Sequence, residues 1–99
     1  MEIQFQVTDG VDIREVEKTL SFYIGRLETG VEKLNIRLRE YPSPGEKRRF
    51  LVNLRSRLVN GQSIELEELH EDPRLATQRL LERLERRVLR RQTIWQMRA

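Results

Sequence analysis

The fold is decided by a stretch in the middle of the chain, residues 50–66, which reads FLVNLRSRLVNGQSIEL. Its apolar side chains alternate with polar ones up to Leu58, and the alternation resumes at Ile64 after the pair Asn60-Gly61. A period of two is typical of a strand with one buried face, and Asn-Gly favours a hairpin turn. The stretch therefore predicts two antiparallel strands that share one apolar face.

The register of this hairpin follows from which side chains can be buried together. A two-residue turn would place Arg57 opposite Ile64 and bring charged and apolar side chains onto the same face. One additional loop residue restores the alternation, with Leu58 opposite Ile64 and Arg57 opposite Glu65. We therefore expect a three-residue loop or a glycine bulge.

Two more strands and a helix precede the hairpin. Residues 3–7 and 33–40 both alternate, and the loop at residues 41–45, YPSPG, separates the second strand from the third. Between the first two strands, a helix is expected to begin at Asp12 as N-cap and to stop at Gly30 as C′ residue. Its apolar stripe comprises Ile13, Val16, Leu20, Tyr23, Ile24 and Leu27.

The last helix opens with Asp72 as N-cap and Pro73 at the first helical position. Its predicted buried stripe comprises Ala76, Leu80, Leu81, Leu84 and Val88. We expect the helix to end near Arg91, which gives a single domain over residues 1–91 and a C-terminal tail over residues 92–99, in which Trp95 either prolongs the stripe or frays.

This element order, β-α-β-β-β-α, predicts the fold class. A right-handed crossover through the first helix makes the first two strands parallel, and the remaining strands follow as antiparallel neighbours. Each strand has one apolar side, so both helices must cover the same face of the sheet. The expected fold is an α/β (α+β) two-layer sandwich, with a four-stranded mixed sheet and two helices on one face.

Composition excludes several classes of function. The 99 residues include no cysteine, which excludes a disulfide framework and thiolate metal ligands. No apolar run approaches the roughly 20 residues of a membrane span, and the first residues lack the features of a signal peptide. The only histidine, His70, is expected in an exposed loop, without nucleophile or metal-ligand partners. We expect a cytoplasmic non-enzyme with no metal, cofactor, membrane or small-molecule substrate.

The charge is unevenly distributed along the chain. Residues 1–46 carry six basic and nine acidic side chains, whereas residues 47–99 carry thirteen and seven. On the last helix, Arg79, Arg83, Arg86 and Arg90 fall on one flank about 60° wide at 100° per residue. Like charges at this spacing repel, and a bound polyanion would relieve the repulsion. The flank therefore indicates nucleic-acid binding, with a solvated arginine face as the alternative.

The first helix offers a second candidate surface. Lys18, Phe22 and Arg26 recur every four residues on its outer face, so that an aromatic ring lies between two cations. Such an arrangement suits phosphate contact combined with base stacking, and it equally suits a protein contact. The outer sheet face, also rich in arginine, is secondary because Glu2, Glu65 and Glu67 are expected to offset its charge. The arginines of this outer sheet face are Arg37, Arg39, Arg49, Arg55 and Arg57.

The last helix resembles a known family, the ribosome hibernation-promoting factors, also called ribosome-associated translation inhibitors. The similarity lies in residues 72–76, DPRLA, and residues 80–87, LLERLERR, which continue through Val88 into Arg90 and Arg91. The last helix shares three features with the family. These are an acidic cap, an alanine in the first turn, and an aliphatic pair followed by alternating charges. The first strand, the first helix, the second strand and the element order agree as well.

The resemblance implies a short, divergent member without the C-terminal extension of long members. It implies binding to the small ribosomal subunit through ribosomal RNA and inhibition or hibernation of translation under stress. The basic positions that match the family are Arg83, Arg86, Arg90 and Arg91. The alternatives are a protein–protein interaction module or homodimer of the same fold, and a double-stranded RNA-binding module, against which the extra first strand argues.

Overall fold

The computed structural model describes residues 1–7, 11–42, 44–45 and 47–98, with side chains through Leu89. The elements are β1 (Glu2–Val7), α1 (Arg14–Leu27), β2 (Val31–Tyr41), β3 (Arg49–Leu58), β4 (Ser63–His70) and α2 (Pro73–Arg98). The expected β-α-β-β-β-α order is confirmed. Among the described helices, none combines the length and the apolar character that a membrane crossing requires.

The four strands form one mixed sheet in the order β1-β2-β3-β4. β1 is parallel to β2, and the other two pairs are antiparallel, as the right-handed crossover predicted. Both helices pack on the same face of the sheet, and the core lies between the two layers. The buried stripe of α2 is confirmed at all five predicted positions, and Val16, Leu20, Tyr23 and Leu27 anchor α1.

The hairpin register expected from the sequence is wrong by two residues. Ile64 lies opposite Ser56 and not opposite Leu58, and Arg55 lies opposite Glu65. The three-residue loop is confirmed, because the Leu58 amide donates to the Gln62 carbonyl oxygen at 2.8 Å across residues 59–61. Either register preserves the alternation of faces. Gly61, with φ of +89°, takes the left-handed third position of the loop and thereby selects the observed register.

The two ends of α1 also differ from expectation. Ile13 occupies the N-cap position, and Asp12 instead accepts a hydrogen bond from the Arg14 amide at 3.1 Å. Gly30 does not have the positive φ of a C′ glycine. A Cβ atom at this residue would collide with the Cγ1 atom of Val88, so glycine is needed here to let α2 approach the end of α1.

The start of α2 is confirmed, and its end lies further along the chain than predicted. The Asp72 carboxylate accepts hydrogen bonds from the amides of Arg74 at 2.9 Å and Leu75 at 3.4 Å, which makes it the N-cap. The helical backbone continues past Arg91 to Arg98, into the segment expected to be a tail.

Candidate nucleic-acid interface

The arginine flank of α2 lies above β4. Burial of the apolar stripe fixes the rotation of the helix, and this rotation turns Arg79 and Arg83 toward the outer edge of the sheet. There the Arg79 Nη1 atom lies 3.2 Å from Glu68 Oε1, and the Arg83 Nη2 atom lies 3.5 Å from Glu68 Oε2. The structure therefore brings these two predicted residues together around a single carboxylate.

Glu68 is a component of this site that the sequence reasoning did not identify. It lies on the helix-covered face of β4, where its side chain is only 15% exposed, whereas the side chains of Arg79 and Arg83 are 47% and 49% exposed. One carboxylate cannot neutralise two guanidinium groups, so the pair keeps a net positive charge and an open side. The signal for Glu68 was its position two residues after Leu66 and four after Ile64, because alternate residues of a strand share a face and both of these pack against the core.

The flank continues at Arg86, whose side chain is exposed. Its Nε atom donates to the backbone oxygen of Glu82 at 3.4 Å, and no described carboxylate lies within ion-pair distance of it. Arg90 and Arg91 belong to the same helix, but their side chains lie outside the described residues, and their role stays a prediction.

The α1 surface centres on Phe22, which is 62% exposed. The Arg26 guanidinium carbon lies 4.7 Å from the centre of the Phe22 ring, in cation–π geometry, and Arg26 also pairs with Glu85 of α2 at 3.4 Å. Lys18 lies one turn earlier, exposed, with Glu15 at 3.5 Å. Phe22 and Lys18 line a groove of about 300 Å³ that runs between the two helices. The ring thus has both a cation beside it and an open face.

A polar seam separates the two basic surfaces. Glu82 accepts hydrogen bonds from Gln78 at 3.1 Å and from the Tyr23 hydroxyl at 3.2 Å. The bond from Gln78, and then that from Tyr23, holds the pKa of the Glu82 carboxyl below its ordinary value. Burial, followed by the contact with Glu82, raises the pKa of Tyr23, so its hydroxyl keeps the proton that it donates. The Tyr23–Glu82 bond joins α1 to α2 between the two candidate surfaces.

His70 has a structural role in the turn before α2. It is the last residue of β4 and is partly buried, so its expected position in an exposed loop is wrong. Its Nδ1 atom accepts a hydrogen bond from the Asp72 amide at 2.9 Å, which holds the N-cap residue in place. Within the described ranges, no three His, Cys, Asp or Glu side chains are grouped closely enough to hold a metal ion.

Comparison with known proteins shows a relationship at the level of the fold. No protein-family model matches the chain, and no curated protein matches it. Among solved structures, the chain is similar to the crystal structure of the N-terminal domain of Protein Y from Thermus thermophilus, with a TM-score of 0.59 and 23% sequence identity. The match covers 91% of this chain and 98% of that one, so the likeness extends over essentially the whole domain and establishes a shared fold.

Proposed function

We propose that this chain is a non-enzymatic, cytoplasmic RNA-binding regulator. It associates with the small ribosomal subunit through ribosomal RNA and inhibits or hibernates translation under stress. Its affinity comes mainly from contacts between arginine and phosphate, and the shape of the RNA, rather than its base sequence, fixes the site.

One observation carries this proposal, the incomplete neutralisation of the α2 flank. Within the described residues, Arg79 and Arg83 share the one carboxylate of Glu68, and no carboxylate lies within ion-pair distance of Arg86, which acts on the Glu82 carboxyl only at longer range. Arginine groups that served only as ion-pair partners within the fold would have matching carboxylates, and the alternative is a solvated arginine face that binds no polyanion. A row of half-exposed guanidinium groups at intervals of one helical turn instead suits the closely spaced charges of a phosphate backbone.

The α1 surface supports the same function. The exposed ring of Phe22, next to Arg26 and Lys18, offers a stacking platform for an unpaired base beside groups that bind phosphate. The fold shared with the Protein Y domain supports the resemblance of the α2 sequence to the ribosome hibernation-promoting factors.

Co-sedimentation with purified small ribosomal subunits tests the proposal. The double variant Arg83→Gln/Arg86→Gln removes two of the flank charges at exposed positions, and we expect binding at 0.1 M salt to weaken at least tenfold. The matched control, Arg55→Gln/Arg57→Gln, removes the same charge from the opposite side of the sheet and should bind within about twofold of the wild type.

Equal binding of the two double variants would contradict the proposed interface, and failure of the wild type to sediment with subunits at low salt would contradict the function. The alternative, a protein-interaction module or homodimer, rests on the exposure of Phe22. In that case, Phe22→Ala would abolish self-association or partner binding, and the double variant of the flank would retain it.

A further inference from the structure

The sheet face turned away from the helices is basic, but its two ends differ in how the charges are balanced. At the end near the β3–β4 loop, each cation has a carboxylate within 4 Å. These pairs are Arg55–Glu65 at 3.4 Å, Arg57–Glu32 at 3.9 Å and Lys33–Glu2 at 3.9 Å. This end of the open face is electrostatically balanced.

The other end of the open face is not balanced. Arg37 and Arg39 of β2 and Arg49 of β3 point outward and are exposed. In the part of the chain that the structure describes, no carboxylate approaches any of the three within ion-pair distance. The guanidinium of Arg39 instead lies 5.9 Å from the centre of the Tyr41 ring. Three cations on neighbouring strands are therefore available to an external anion.

Apolar side chains lie among these cations. Leu51 of β3 faces Leu69 across the β3–β4 ladder, and Arg39 lies on the other side of Leu51 in the same row. Leu69 is 41% exposed and Tyr41 is 42% exposed, on a face that elsewhere carries polar side chains. We call the six residues Arg37, Arg39, Tyr41, Arg49, Leu51 and Leu69 the open-face patch. An apolar centre with a rim of unpaired charge is the usual layout of a protein-binding surface.

We propose that the open-face patch is a docking site for an acidic protein segment that also carries leucine or aromatic side chains. Carboxylates of the segment pair with the three arginines, and its apolar side chains cover Leu51, Leu69 and the Tyr41 ring. The phosphates of an RNA would pair with the arginines, but the RNA would supply no aliphatic side chain to cover Leu51 and Leu69. This site lies across the sheet from α1 and α2, so it goes beyond the proposed RNA interface and is independent of it.

The test uses the full chain and a fluorescein-labelled twelve-residue peptide, ELEELLEELLEE, with binding followed by fluorescence anisotropy. We expect Arg39→Gln/Arg49→Gln to weaken binding about fivefold through the loss of two partly solvated charge pairs. Leu51→Ser/Leu69→Ser should weaken it about tenfold through the loss of apolar contact. Circular dichroism and urea unfolding check that each variant is folded, which we expect because all four positions lie outside the buried core.

The control is again Arg55→Gln/Arg57→Gln, which changes the same charge on the same face at its balanced end. The proposal predicts that this control binds the peptide as the wild type does. Equal weakening by the control would show nonspecific charge attraction and would overturn the proposal. A ten-nucleotide uridine RNA is titrated against the same variants. If its binding is weakened by Arg39→Gln/Arg49→Gln and unchanged by Leu51→Ser/Leu69→Ser, the proposal is overturned and the face is assigned to RNA.

Discussion

If the α2 flank binds RNA phosphate as proposed, Glu68 must compete with that phosphate for Arg79 and Arg83. The variant Glu68→Gln removes the only described carboxylate that contacts Arg79 and Arg83 while keeping the shape of the side chain. We expect RNA affinity to rise and the free energy of unfolding to fall. Substitutions that strengthen binding while weakening the fold are expected where a native contact has to be exchanged for a ligand contact.

The magnitude follows from the geometry of the contacts. The carboxylate oxygens lie 3.2 Å and 3.5 Å from the two guanidinium groups. A phosphate on the open side of either group would lie about 6 to 7 Å from the carboxylate, where like charges repel by about 0.6 kcal/mol in water and about 2.5 kcal/mol at a dielectric constant of 20. Because the guanidinium groups are half exposed, we expect about 1 kcal/mol, or about a fivefold gain in affinity.

Two measurements check this prediction. Anisotropy of labelled protein titrated with small subunits at 0.1 M salt gives the affinity, and urea unfolding gives the stability. The loss of two partly exposed ion pairs should lower the free energy of unfolding by about 1 kcal/mol. The conservative variant Glu68→Asp serves as the control, because it keeps the charge. If Glu68→Gln binds more weakly than the wild type, Glu68 orders the arginines for RNA and the competition argument is refuted.

Three further predictions concern the scaffold, each measured by urea unfolding. Replacing Asp72 with alanine removes the N-cap acceptor of α2 and should cost about 1 kcal/mol. Gly30→Ala should lower the free energy of unfolding by about 1 to 3 kcal/mol, because the new methyl group collides with Val88. Adding Val88→Ala should recover part of that loss, and simple additivity of the two changes would contradict the steric reason. Tyr23→Phe should cost about 1 kcal/mol at pH 7 through the lost hydrogen bond to Glu82. Since the pKa of Glu82 is lowered in the folded state, the stability from this carboxylate is present above the ordinary glutamate pKa and is lost as pH falls through the folded value. The deficit of Tyr23→Phe should therefore shrink as the pH is lowered through the folded pKa of Glu82, and a deficit independent of pH would contradict the role of Glu82.

The element order and the buried faces were predictable from the sequence because alternation and helical periodicity depend on the core alone. The five buried positions of α2 and the inner residues of β3 needed no knowledge of the rest of the molecule. The hairpin register was not predictable by the same argument, because shifting it by two residues leaves every side chain on the same face. Only the backbone requirement at Gly61 distinguishes the two registers.

The composition of the candidate site was predictable for α2 and incomplete for its surroundings. Helical spacing placed Arg79, Arg83 and Arg86 on one flank, but an ion pair between α2 and β4 depends on how the helix is rotated over the sheet. The role of Glu68 therefore required the tertiary structure. The same holds for Gly30, which serves close packing against Val88 and not a helix cap.

The salt dependence of binding to purified small ribosomal subunits tests the central claim most directly. If the α2 flank and the α1 cations together neutralise four or five phosphates, the logarithm of the association constant should fall with the logarithm of salt concentration with a slope of about −3. In Arg83→Gln/Arg86→Gln the slope should become shallower by about 1.5. A slope near zero for the wild type, or the same slope for this variant, would contradict the account.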